Sequence, residues 1–309
     1  RSRSSASSNF GFGVGTESDT FRAARSTRAG YAELGAEVGA GVTLAAAGRV
    51  DDNSAFGALT SWRVGIAAPL PGAAVLHAQV GRAFKAPTFS ELFANSPFEV
   101  GNRDLRPEVA NSWEVGVRLP AIQRRVRLAS SLFSQRFGNL IQYASAAPGE
   151  PTYANVGVAT SRGVEVEVGA SVLRTLTLSA SGTRLWTRIR ENGGSTAAAL
   201  AIGAPLVRRP EVSGAAALRW APSDRATARL GVHYLGPRDD IDYRGFPATR
   251  IRLPGRTLVT LSSQLAIPGL PAGLAATVRV ENLLDTAWEQ ALGFPGQGRL
   301  LHLGVRTTR

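Results

Sequence analysis

Apolar and polar residues alternate with a period of two along most of this chain. Val164, Val166, Val168, Ala170 and Val172 point one way, and Glu165, Glu167, Gly169 and Ser171 the other. Val212, Gly214, Ala216, Leu218 and Trp220 alternate in the same manner with Glu211, Ser213, Ala215, Ala217 and Arg219. Such a period marks a strand with one apolar and one polar side. It predicts about fourteen strands, at 5–15, 22–38, 41–51, 57–69, 74–84, 110–119, 126–138, 160–172, 175–189, 211–221, 225–236, 256–267, 274–284 and 298–307.

The apolar side of these segments carries almost no charge. A lipid-facing wall requires this, because an arginine at the bilayer midplane costs on the order of 2–4 kcal/mol. A soluble sandwich alternates too, since its outer faces are wet. Three features favour the membrane. The strands run to about ten residues or more, near the length of a tilted membrane strand. Aromatic residues, Trp113, Trp186, Trp220 and Tyr234, sit at the ends of the apolar runs, as in interfacial girdles. Short connections (38–41, 69–74, 119–125, 172–175, 221–225, 267–273) also alternate with long ones (85–109, 139–159, 190–210, 237–255, 285–297). The expected fold is all-β: a transmembrane antiparallel up-and-down β-barrel, with both chain ends on the short-turn side.

Composition narrows the function classes. No apolar run approaches the roughly 20 residues of a spanning helix. Cysteine is absent, which removes disulfide and thiol chemistry. The net charge of +12 is almost wholly arginine, Lys85 being the one lysine. Those arginines are scattered over strands and loops, which fits a polar pore wall better than a nucleic-acid surface. RSRSSASSNF has no apolar signal-peptide core and the chain has no methionine, so it is expected to be processed or part of a longer chain. Gly11, Gly13 and Gly15 precede no helix, so they predict no phosphate loop. His77, His233 and His302 fall on separate strands with no metal-ligand spacing. No serine or carboxylate pair has a catalytic context, so no enzyme activity and no cofactor is expected.

The stretch GRAFKAPTFSELF, then GNRDLRPE and a strand beginning NSWEVGVR, resembles the signature of TonB-dependent outer-membrane receptors. Other pieces follow in the family's order: NVG with SRGVEVE, LVRRP, GPRDD before LPG, and VENLLD with WE and a final strand. The middle pieces are most similar to the cobalamin and siderophore branch. The resemblance implies that 1–309 is the carboxyl-terminal part of a receptor barrel of about 22 strands. It implies too that a plug, a TonB-contacting segment and about eight further strands lie outside this chain. It places the protein in the outer membrane of a Gram-negative bacterium, as a monomer among lipid and lipopolysaccharide. Its ligand would be cobalamin or a ferric siderophore, admitted through the TonB complex without covalent chemistry, and this chain alone would not support energised uptake.

Ligand contacts are expected in the long loops. Phe89, Phe93, Phe98, Tyr143, Tyr153, Tyr243, Phe246 and Phe294 are amphipathic or apolar groups there, and Arg208, Arg209, Arg238 and Arg244 suit an anionic ligand. The same residues could instead pack loop on loop. Asp51 and Asp52, and Asp239, Asp240 and Asp242, are oxygen-rich tips that suit calcium, without the spacing of a known calcium loop. Two other function classes stay open: a passive fourteen-stranded diffusion porin, physically allowed at that strand number, and a soluble β-rich binding module.

Overall fold

The computed structural model describes residues 2–10, 17–96, 99–122, 125–143, 150–245, 247–266 and 274–307, with the backbone alone at 2–10, 17–22, 121–122 and 156. The wall strands are β1 (Ser2–Phe10), β2 (Glu17–Arg25), β3 (Thr27–Glu37), β4 (Thr43–Asn53), β5 (Gly57–Leu70), β6 (Ala74–Lys85), β7 (Glu108–Ile122) and β8 (Val126–Tyr143). They continue through β9 (Tyr153–Leu173), β10 (Leu176–Glu191), β11 (Val212–Ser223) and β12 (Ala226–Leu235). A hairpin, β13 (Arg238–Asp242) and β14 (Thr249–Leu253), precedes β15 (Arg256–Ala266) and β16 (Leu274–Glu281). A short ribbon, β17 (Glu289–Ala291) and β18 (Phe294–Pro295), precedes β19 (Leu300–Thr307).

Thirteen strands form one antiparallel sheet in chain order, from β3 at one edge to β19 at the other. The β13–β14 and β17–β18 ribbons stand outside it. β1 pairs with β2, which runs on into β3. Each strand expected from the alternation therefore has a counterpart. The two sheet edges do not pair with each other among the described residues.

The registers sort the side chains by face. Ile66 opposes Ala78, Ala78 opposes Val115, Val115 opposes Leu132 and Leu132 opposes Val164, so one apolar row crosses five strands. On the other face Gln79 opposes Glu114, Ser131 opposes Glu165 and Thr183 opposes Ser213. A sandwich would cover the apolar face with a second sheet. Here Leu132 is 54% exposed and Leu303 73%, and no second sheet covers them among the described residues. An apolar wall of this extent belongs against lipid.

At one end the strands turn tightly, as at Pro71–Ala73, where Gly72 takes φ 77°. At the other end they outrun the 9–11 residues needed to cross a bilayer, β8 reaching 18 residues and β9 21. Much of the long connection expected at 139–159 is therefore strand, paired as far as Tyr143 opposite Tyr153. The expected loop 237–255 likewise holds the β13–β14 hairpin, and 85–109 holds a one-turn helix, α1 (Phe89–Phe93). No helix among the described residues is long and apolar enough to cross a membrane.

Candidate functional site

The long-loop end carries two side-chain assemblies. The first is built on α1. Thr88 and Glu91 close a capping box: Glu91 N–H donates to Thr88 Oγ1 at 3.2 Å, and Thr88 N–H to Glu91 Oε2 at 2.7 Å. This satisfies two helix-end donors reciprocally. Leu92 then packs with Leu105 and Ile141 as a small buried cluster, flanked by Phe56, Phe93 and Tyr153. Lys85 Nζ lies 3.5 Å from Glu91 and 3.2 Å from Glu108, and Glu108 in turn accepts the Ile141 N–H at 2.7 Å. Arg25 donates to the Pro87 carbonyl at 2.9 Å and lies over the Phe89 ring at 5.0 Å. Gly101 is fixed by proximity, because a Cβ there would run into the backbone of Leu92 and Phe93.

Tyr153 hydroxyl donates to Glu99 at 3.2 Å, and its ring meets Tyr143 edge-on at 5.8 Å. Burial, then the Glu99 charge and hydrogen bond, push the Tyr153 phenol up to about 12. Phe93 and Tyr153 thus pack loop on loop, Phe89 stacks on Phe93 beneath Arg25, and Tyr143 is exposed. Phe98 and Phe246 lie outside the described residues.

The second assembly centres on Asp240, whose side chain is fully buried. Its Oδ1 accepts from Arg208 Nε and from the Ile241 N–H, both at 2.8 Å, and its Oδ2 from the Leu292 N–H at 2.9 Å. Burial alone would raise this carboxyl. The two backbone N–H groups and the Arg208 guanidinium outweigh it and hold the carboxyl below its ordinary value. Asp239, which the strand turns the opposite way, meets Arg250 at 2.8 Å. Arg250 also donates to the carbonyls of Pro205, Ala198 and Ala199. Arg238 is buried and donates to the carbonyls of Glu289 and Gln290. Arg256 stacks 3.6 Å above the Trp288 ring. Gly296 lies against the far part of that ring, where a Cβ would collide. Three loops are joined in this way: 192–211, the β13–β14 hairpin, and the β17–β18 ribbon.

Each of Asp51, Asp239, Asp240 and Asp242 accepts from an arginine, namely Arg49, Arg250, Arg208 and Arg244. Asp52 is exposed opposite Arg28. No three His, Cys, Asp or Glu side chains gather as a metal set among the described residues. What faces outward from the loop end is Tyr143, Tyr243, Phe294, Arg209, Arg244 and half of Arg208. Burial raises the Tyr243 phenol, with Arg208 opposing and Asp240 and Tyr143 adding. Sequence reasoning missed Arg25, Arg250, Arg256 and Trp288. The capping box Thr88-x-x-Glu91 was a readable signal for α1, but the arginine contacts span dozens of residues and leave no local trace.

Below the loops, the polar face forms a groove of about 950 Å³ at the short-turn end. Arg118, Arg127, Arg229 and Arg279 line it among small residues such as Gly169 and Ala217. His77 and His302 lie on the polar face beside Glu114 and Glu281, at 3.3 and 3.7 Å.

Comparison with known proteins places this architecture. Residues 1–283 match the family model described as TonB dependent receptor-like, beta-barrel. The chain is 27% identical over 269 residues to the vitamin B12 transporter BtuB of Vibrio vulnificus, covering 84% of this chain and 39% of that protein. It superimposes on the ferric-catecholate import receptor Fiu of E. coli K12 with a TM-score of 0.73 at 17% identity, over 95% of this chain and 46% of that one. The siderophore receptor PirA of Acinetobacter baumannii gives 0.72 at 16% identity, over 92% and 46%. The chain thus spans less than half the length of these relatives. It belongs to the TonB-dependent receptor β-barrel family, whose members are Gram-negative outer-membrane proteins.

Proposed function

We propose that this chain is the carboxyl-terminal wall of a receptor that takes up a large, scarce nutrient, cobalamin or a ferric siderophore. The observation that carries the reading is the loop end itself. Two interlocked loop assemblies stand over a polar face and present Tyr143, Tyr243, Arg208 and Arg209 outward. Aromatic faces and guanidinium groups together suit a bulky ligand with anionic groups. The wall performs no covalent chemistry. It holds the ligand by differential affinity above a polar path, while the TonB complex acts through a region outside this chain. Neighbouring lipid and lipopolysaccharide surround a monomer.

A diffusion porin of these strands alone would have to pair its first and last strands, and no register among the described residues joins them. The test is ligand retention by the full-length protein in detergent, with cyanocobalamin and ferric siderophores as probes. Retention of one class, weakened by Tyr143→Ala and Tyr243→Ala, is expected. Indifference to both ligand classes, with a steady ion conductance in bilayers, would instead favour the porin.

A further inference from the structure

Six arginines, Arg82, Arg136, Arg162, Arg184, Arg188 and Arg190, lie on the apolar face of the sheet, and all six are exposed. The registers bring them together. Arg82 opposes Asn111, which opposes Arg136; Arg136 opposes Thr160, which opposes Arg188, so three guanidinium groups share one row across β6–β10. Arg162 opposes Trp186 one step nearer the short turns, and Arg184 opposes Val164 one step further. Arg184 lies 5.0 Å over the Trp186 ring, and Arg190 donates to Thr160 Oγ1 at 3.2 Å. Among the described residues the one carboxylate in salt-bridge range of any of the six is Glu191, 4.0 Å from Arg136.

The rows beneath are largely apolar: Val115, Leu132 and Val164, then Val117 and Val166 on either side of Ser130. Next to the arginines stand Trp62, Trp113 and Trp186, Trp62 directly opposite Arg82. Tryptophans at this depth mark the membrane–water boundary. The arginines therefore sit at the lipid headgroup level of the long-loop leaflet, their apolar stems over the wall and their charges raised toward water. The β11–β19 side of this face does not share the feature. Across β11, β12, β15, β16 and β19 the same face carries no arginine: at its long-loop side stand Val212, Tyr234, Thr257 and Leu301.

From this geometry we infer that the β6–β10 sector is a binding site for the phosphate groups of an outer-leaflet glycolipid. The row spans four inter-strand gaps, roughly 19 Å, wide enough to meet more than one phosphate of a single headgroup. Guanidinium groups bind phosphate bidentately, and each basic group near a charged membrane surface adds to binding. A second copy of the chain is a poor occupant, because a two-fold contact would set the same arginines against each other. The inference rests on the outer-membrane placement of the wall and gives its lipid contact a location and a chemistry.

The test uses the full-length protein in detergent, with bis-phosphorylated lipid A, its dephosphorylated form and phosphatidylglycerol as probes. Lipid retained through gel filtration is quantified by mass spectrometry. The wild-type protein should retain the bis-phosphorylated lipid preferentially, less so at high salt. Arg82→Gln/Arg136→Gln/Arg188→Gln should lower retention at least about tenfold. The triple lysine variant at the same positions should keep most of it, as should Arg118→Gln/Arg127→Gln/Arg229→Gln on the opposite face. Circular dichroism confirms folding, and should the glutamine variant not fold, the lysine variant and the salt dependence decide. Equal retention of the dephosphorylated lipid, equal displacement by phosphatidylglycerol, or an equal loss in the opposite-face variant would overturn the site. Purification in the aqueous phase without detergent would overturn the membrane placement and the site with it.

Discussion

Asp240 is fully buried while Arg208, whose Nε it accepts at 2.8 Å, keeps half its side chain exposed. The pair is anchored at the acid, not at the base. Arg208 takes a positive φ of 59°, and its own N–H donates to the Asp239 carbonyl at 2.7 Å, so the backbone bends to bring the guanidinium over the carboxylate. Asp240 also holds the Leu292 N–H, which ties the ribbon to the hairpin.

Asp240→Ala should therefore loosen two loops at once. The Leu292 and Ile241 N–H groups would lose their acceptor in a buried setting, a cost of about 1–3 kcal/mol. Hydrogen exchange should speed up over 238–253 and over 289–295, while the strands of the sheet keep their protection. Faster exchange confined to the hairpin would show that Asp240 does not couple the ribbon to it.

Acid should act through the same carboxylates. The Arg244 side-chain and backbone hydrogen bonds lower the Asp242 carboxyl to about 2, and the Asp240 carboxyl also lies below its ordinary value. A depressed folded value gives stability that is present above the unfolded value of about 3.9 and is lost as pH falls through the folded one. The loops should stay locked at pH 5 and release only as the pH drops from about 4 toward 2. Exchange rates of the hairpin measured from pH 7 downward, corrected for intrinsic rates, check this. Release at pH 5 to 6 would point to other groups.

The strands were legible because each needed only its own alternation: one face meets lipid and the other water, so every second residue reports the side. The β13–β14 hairpin was not, because its inward residues are Arg238 and Asp240, charges satisfied by partners about 32 and 51 residues away. RDDID therefore reads as a polar tip. The oxygen-rich tips at Asp51, Asp239, Asp240 and Asp242 were visible, and so were Arg208 and Arg244, but the pairing of each carboxylate with an arginine was not read. At the loop end, sequence marks the residue types, while long-range ion pairs decide which are buried and which face outward.

Tyr153 offers a second titration of opposite sense. Its folded value of about 12 lies above the ordinary tyrosine value, so its contribution is complete below pH 10 and fades as pH rises toward 12. Absorbance at 295 nm should show a late ionisation toward pH 12 from Tyr153, with Tyr243 also raised, and Tyr153→Phe should reduce the late amplitude by one phenol. A single step near pH 10 in the wild-type protein would contradict the Glu99 contact.

The assignment of faces is open to direct test on one strand. Leu132 and Ser131 are neighbours on β8 that the pleat sends to opposite sides, Leu132 against Val115 and Val164, Ser131 against Gly116 and Glu165. Leu132→Arg puts a charge on the apolar wall one row beneath Trp113, between the headgroup level and the midplane. That should cost about 1–2 kcal/mol, between the interfacial and midplane values, read as a lower denaturant midpoint for folding of the full-length protein into bilayers. Ser131→Arg puts the same charge beside Glu165 on the polar side and should fold within about 0.5 kcal/mol of the parent. Both variants add one arginine at adjacent positions and carry the same net charge, so the facing of the new side chain is the main difference between them. If they lost stability equally, the apolar row from Ile66 to Val164 would not be lipid-facing, and the membrane reading of the whole sheet would fall with it.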